Sequence, residues 1–119
     1  MSAGEAPWSV RLTAAAEADF AGIVAWTVEQ FGDVQARIYA ETLSLAVEAL
    51  IAGPGLPNAK ARPEIGKQLF TLHVARRGRR GRHFILFRPD PDPKRRCIDV
   101  LRILHDAMDL ERHVPEDDA

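Results

Sequence analysis

Arg102 and His105 stand out in this 119-residue chain because their side chains and their spacing could do chemistry. Both lie in residues 97–113, read as Cys-Ile-Asp-Val-Leu-Arg-Ile-Leu-His-Asp-Ala-Met-Asp-Leu-Glu-Arg-His. Arg102 interrupts an apolar, β-branched run, where a guanidinium must reach water, a carboxylate or a partner. His105 follows where the strand pattern ends. A cation beside a proton carrier could serve phosphodiester cleavage, the cation stabilising the developing oxyanion. The plainer alternative is a snorkelling arginine in a structural ion pair beside a structural histidine. A third catalytic part is not evident. The single tyrosine, Tyr39, falls on an apolar helical stripe, and the single cysteine, Cys97, has no activator nearby in sequence.

The second concentration of chemistry is the turn at residues 76–82, with Arg76, Arg77, Arg79, Arg80 and Arg82 spaced by Gly78 and Gly81. Five guanidiniums on one turn could grip phosphates or an acidic protein segment. They could equally be a solvated hairpin tip that keeps a sheet edge soluble. No Gly-rich phosphate cradle, Walker motif or zinc-ligand spacing accompanies them. His73 and His83 can meet on adjacent strands, but two histidines without a third ligand make a poor metal site. Neither a metal nor a cofactor is expected.

Charge is segregated along the chain. Residues 1–59 hold two basic and seven acidic residues, residues 60–105 thirteen and four, and residues 106–119 one and six. The middle of the chain is therefore built to face something anionic. Length and an ordinary apolar content predict a single domain over 1–119, with its core at about 9–114. No apolar run is long enough to cross a bilayer, and the first residues lack the pattern of a signal peptide, so a cytoplasmic protein is expected.

These residues need a scaffold. Trp8, Val10 and Leu12 alternate as a short strand. Thr13 can cap a helix whose Ala16, Phe20, Ile23, Thr27 and Phe31 share one face. Gly32 ends it and Asp33 can cap the next helix, where Ala36, Tyr39, Leu43, Ala46, Val47 and Leu50 form a stripe that Ile38, Leu45 and Ala49 widen. Gly53-Pro54-Gly55 stops that helix, and residues 53–67 read as a loop. Strands are expected at 69–75, 83–88 and 97–104, joined by hairpins. In the last, Ile98, Val100, Arg102 and Leu104 would share one face, and Leu101 and Ile103 the other. The fold class is α+β: an antiparallel β-sheet packed on one face by an N-terminal helical hairpin, in the order β-α-α-β-β-β with a short C-terminal helix.

A resemblance adds to this reading. The array Ile23-x-x-Trp26-Thr27-x-x-x-Phe31-Gly32, Ala36-x-x-Tyr39, Leu43-x-x-Ala46-x-x-x-Leu50-Ile51-x-x-Pro54, His83-x-Ile85-x-Phe87-Arg88 and Arg102-Ile103-Leu104-His105-x-x-x-Asp109 resembles the RelE/ParE superfamily of type II toxin–antitoxin toxins. It covers about residues 9–114. The resemblance implies the same fold and a cognate, ParD-like antitoxin that wraps the toxin. The Trp26-Thr27 and Gly53-Pro54 signatures, and the absence of a C-terminal catalytic tyrosine, are similar to the ParE branch. That branch implies a plasmid-stabilising toxin that poisons DNA gyrase, with no chemistry of its own. Arg76, Arg77, Arg79, Arg80, Arg82, Arg102 and His105 are then the expected target- or antitoxin-binding residues, with direct nucleic-acid contact not required. The RelE branch implies instead a metal-free, ribosome-dependent messenger-RNA endonuclease, with Arg102 and His105 as its catalytic candidates.

Overall fold

The computed structural model describes residues 7–107. Its elements are β1 (Ser9–Leu12), α1 (Ala14–Phe31), α2 (Asp33–Ala49), β2 (Lys60–Ala61), β3 (Phe70–His73), β4 (His83–Pro89) and β5 (Cys97–His105). Short 3-10 turns at Leu50–Ala52 and Pro93–Arg95 follow α2 and precede β5. The five strands form one sheet in the order β1-β5-β4-β3-β2. The expected C-terminal helix falls beyond residue 107, outside the described residues.

Local chemistry sets the element ends. The Thr13 hydroxyl accepts the Ala16 N–H at 3.1 Å and donates to the Leu101 carbonyl at 2.9 Å, so one side chain caps α1 and ties it to β5. Gly32, at φ +91°, closes α1 through its N–H to the Val28 carbonyl. Asp33 does not cap α2 as expected. It is the first helical residue, and the cap position is Gly32, whose carbonyl accepts from Ala36. Gly53 ends the following turn at φ +94°, and a Cβ there would stand 2.7 Å from Trp8 Nε1.

The sheet is mixed, which corrects the wholly antiparallel expectation. β1 runs parallel to β5 in the register Ser9↔Cys97 to Leu12↔Val100, while the other pairs are antiparallel. Alternation in β1 shows a buried face and says nothing of strand direction. The direction is fixed by the bonds that continue the pairing past β1: Thr13 N–H to the Val100 carbonyl, then the Thr13 hydroxyl to Leu101. The 53–67 loop also contains an unexpected two-residue strand, β2, paired to β3 through Lys60↔Thr71 and Ala61↔Phe70.

The core lies between the helices and one sheet face, with Leu43, Leu50, Leu72, Ile85, Phe87, Ile98 and Val100 fully buried. The stripe of α2 is buried at Ala36, Leu43, Ala46 and Leu50, but the stripe of α1 fails at its end. Phe31 is exposed and packs edge-to-face on exposed Trp26 at 5.9 Å. A smaller cluster of Leu69, Leu86 and Leu101, with Ile65 against it, forms apart from the main core.

β5 does not keep strict alternation. Leu86 pairs with Arg102 and Phe87 with Val100, so Leu101 is an extra residue, a β-bulge. Beyond it the faces exchange: Ile103 joins Ile98 and Val100 in the main core, and Leu101 joins the smaller cluster. The expected grouping of Ile98, Val100, Arg102 and Leu104 on one face is thereby overturned. One inserted residue shifts every later side chain.

Candidate functional site

The bulge decides what Arg102 does. Beyond Leu12 no strand among the described residues pairs with the outer edge of β5, and Asp19 of α1 meets it instead. Its carboxylate accepts the Ile103 N–H at 2.9 Å, Arg102 Nε at 2.7 Å and Arg102 Nη2 at 2.9 Å. The pair is largely shielded, and the carboxylate raises the Arg102 guanidinium above its ordinary pKa. Arg102 is thus committed to the helix–sheet junction.

His105 lies in a different setting, at the exit of β5. It pairs across the sheet with His83, their rings edge-to-face at 5.3 Å. The His83 Nδ1 is 2.7 Å from the Tyr39 hydroxyl. That hydroxyl also accepts the Arg82 N–H at 3.1 Å, which leaves its own proton available to His83. Burial, reinforced by neighbouring His105, pushes His83 down to about 4, and burial raises Tyr39. At neutral pH His83 is therefore uncharged. Tyr39 reaches it past Gly81, where a Cβ would stand 2.5 Å from Val74 Cγ2 and 2.9 Å from the Tyr39 oxygen. Gly81 is required for space, whereas Gly78 supplies a positive φ of +82°.

Asp106 closes the cluster. Its carboxylate accepts from Arg82 Nε and Nη2 at 3.1–3.2 Å and from His73 Nε2 at 3.0 Å, and its N–H donates to the Arg82 carbonyl at 2.8 Å. The Arg82 hydrogen bond, then the one from His73, holds this carboxyl down at about 2. His73 Nδ1 accepts the Ala75 N–H and His105 Nδ1 the Ala107 N–H, which assigns the proton of each neutral ring to Nε2. Among the described residues His105 Nε2 has no hydrogen-bond partner, and its side chain is 41% exposed. A half-exposed imidazole and a guanidinium on either side of the Asp106 carboxylate are the chemistry this corner offers. No group of three or more His, Cys, Asp or Glu among the described residues is arranged to hold a metal.

The arginine turn divides into roles. Arg76-Arg77-Gly78-Arg79 is a tight turn with positive φ at Arg77 and Gly78, closed by Arg79 N–H to the Arg76 carbonyl. Arg79 folds back on α2, donating to Thr42, to the Ile38 carbonyl and to Glu41. Arg77 and Arg80 are exposed, and Arg76 is half-buried. The structure therefore brings Arg82 and His105 together, sets Arg76, Arg77 and Arg80 along the turn, anchors Arg79, and holds Arg102 at α1. Sequence reasoning passed over Tyr39, His73, His83 and Asp106 as one cluster. The available signal was an amphipathic tyrosine within an apolar stripe, with three histidines at strand ends.

The comparisons agree on the fold. The structure is similar to the chromosomal ParDE toxin–antitoxin system from P. aeruginosa, with a TM-score of 0.65 at 22% identity, over 82% of this chain and 95% of that one. It is also similar to the toxin–antitoxin complex RelBE2 from Mycobacterium tuberculosis, with a TM-score of 0.56 at 26% identity, over 87% and 95%. No curated protein sequence matches. No helix among the described residues is long and apolar enough to cross a membrane. The sequence profile described as "ParE toxin of type II toxin-antitoxin system, parDE" matches residues 10–110, and on that match the chain belongs to the ParE toxin family.

Proposed function

We propose that the protein is the toxin of a type II toxin–antitoxin module, one that arrests growth by poisoning DNA gyrase and is silenced by a ParD-like antitoxin. The family match over residues 10–110 carries this reading. The concentration of thirteen basic residues within 60–105 supports it, since a basic surface suits an acidic antitoxin segment or gyrase's DNA complex. Arg77 and Arg80 are the target-facing candidates, because both are exposed at the turn while Arg79 is tied to α2. The test mixes antitoxin-free protein with gyrase, supercoiled plasmid and ATP, and scores linear DNA after protein digestion. Gyrase-dependent linear DNA is expected, reduced by charge reversal at Arg77 and Arg80. Intact plasmid at saturating toxin removes the gyrase reading.

The corner at His105 favours a second reading, a metal-free ribosome-dependent messenger-RNA endonuclease. There His105 moves a proton and Arg82 steadies the developing charge, with Tyr39 and His83 positioning the corner. Arg102, held by Asp19, is the weaker choice for that cation. A parallel reaction with programmed ribosomes decides it: cut message that disappears in His105→Ala, with antitoxin binding intact, would replace the gyrase reading.

A further inference from the structure

At the tip of the helical hairpin Trp26 is 55% and Phe31 64% exposed, and the two rings meet edge-to-face at 5.9 Å. Single apolar side chains on a surface are ordinary, but two aromatic rings in contact and mostly outside the core mark a place for a partner. Their setting is fixed. Thr27, beside Trp26 in sequence, is buried and donates to the Ile23 carbonyl at 2.7 Å, and the Gly32 N–H closes the last turn of α1 on Val28. Glu29 lies three residues on from Trp26, which makes the two neighbours on the helix surface. Its carboxylate stands at the negative end of the helix dipole, in a last turn that holds no basic residue. Among the described residues Glu29 makes no ion pair. Asp33 opens α2 just beyond, with Arg37 one turn along at the spacing where opposite charges compensate.

We propose that this tip docks a basic protein segment, with an arginine or lysine side chain lying on the Trp26 and Phe31 rings and its charge against Glu29. A cation over an aromatic face is attracted by the ring quadrupole, and an adjacent carboxylate adds a charge-assisted hydrogen bond. The aliphatic stem of either residue covers ring surface that its head leaves open. The charges select this occupant. Glu29 and Asp33, both exposed, would repel an acidic segment, an anionic lipid surface, or the phosphates of a strand whose bases stacked on the rings. Area argues against a second copy of the chain. At these exposures the two rings offer roughly 200–300 Å², against about 800 Å² per partner in a stable dimer. The surface uses no residue of the arginine turn and is acidic where that turn is basic, so it goes beyond the gyrase reading and does not rest on it.

The purified protein is titrated against a fluorescein-labelled peptide of alternating arginine and alanine, read by anisotropy. A glutamate–alanine peptide and an oligouridylate serve as controls. The arginine–alanine peptide is expected to bind at least about tenfold more tightly than either control. Trp26→Ala should weaken it about fivefold and Glu29→Gln about threefold. Both variants should keep the urea midpoint, because both side chains are exposed. Glu17→Gln, which removes an exposed acid at the other end of α1, should leave the affinity within about twofold. No binding, indifference to Trp26→Ala and Glu29→Gln, an equal loss in Glu17→Gln, or binding of either control as tight as that of the arginine–alanine peptide would overturn the proposal. So would a dimer in sedimentation equilibrium that Trp26→Ala dissolves, since a second copy would then be the occupant. Gyrase is absent from this assay, so its failure and the failure of the gyrase reading are separate results.

Discussion

Arginine–aspartate pairs recur along β5, and the one at its middle and the one at its exit do different work. Arg102 and Asp19 join β5 to α1 with side chains 27% and 16% exposed, and Asp19 also satisfies the Ile103 backbone. Arg82 and Asp106 join the start of β4 to the chain leaving β5, and Arg82 is 71% exposed. The first pair stands at the edge of β5 beyond its pairing with β1, where Asp19 accepts a strand N–H. The second stands among Tyr39, His73, His83 and His105, where solvent and a partner can reach it. Similar chemistry at different depth separates a shielded joint from an exposed corner.

Removing one member of the inner pair should produce the largest effect. Asp19→Ala leaves Arg102 uncompensated and the Ile103 N–H without its acceptor, which should cost about 2–4 kcal/mol in urea unfolding. Asp19→Leu combined with Arg102→Leu should recover part of that loss. A single Asp19→Ala loss below about 1 kcal/mol would place the inner pair with surface pairs and erase the contrast.

Gly81 tests the corner from below. Gly81→Ala puts a methyl group against Val74 and the Tyr39 hydroxyl and should cost about 1–3 kcal/mol. It should also separate Tyr39 from His83, visible as altered His83 ring resonances. An unchanged Tyr39–His83 contact would mean the turn yields instead.

What could be read from the sequence divides along the same line. Helix ends were legible because Thr13, Gly32 and Gly53 act within one turn of chain, and burial of Phe84 to Phe87 followed from an apolar run. The bulge was not legible. Strict alternation assumes an uninterrupted register, and the signal for an extra residue at Leu101 lies in Thr13, far away in sequence. Nothing in the residues around Asp19 shows that it faces the edge of β5. Tyr39 was assigned to the core by its ring, although its hydroxyl passes beyond the core to His83. Periodicity gives the face of α1 but not how far the core extends beneath it, which is why Phe31 is exposed.

The corner should also give the protein an acid limb. His83 ionises near 4 in the folded chain and near the ordinary 6.5 when unfolded. Between those values the unfolded chain binds more protons, so stability is full above 6.5 and falls as pH drops toward 4. After solvent screening this is on the order of 2 kcal/mol. His83→Gln, which can still accept from Tyr39, should flatten urea midpoints measured across that window. A slope unchanged by His83→Gln would assign the acid limb to other groups.

The smallest effect belongs to the outer pair, and it is electrostatic rather than structural. Arg82→Gln removes the largest influence holding Asp106 at about 2, while the His73 hydrogen bond remains. The Asp106 carboxyl should rise toward its ordinary value, with a change in unfolding midpoint too small to separate from ordinary surface substitutions. Carboxyl NMR titration reads the first quantity, and urea unfolding the second. A rise in the Asp106 pKa without loss of stability would mean that Arg82 sets the charge of an exposed corner. A large loss of stability would make the two pairs equivalent and leave depth irrelevant to their roles.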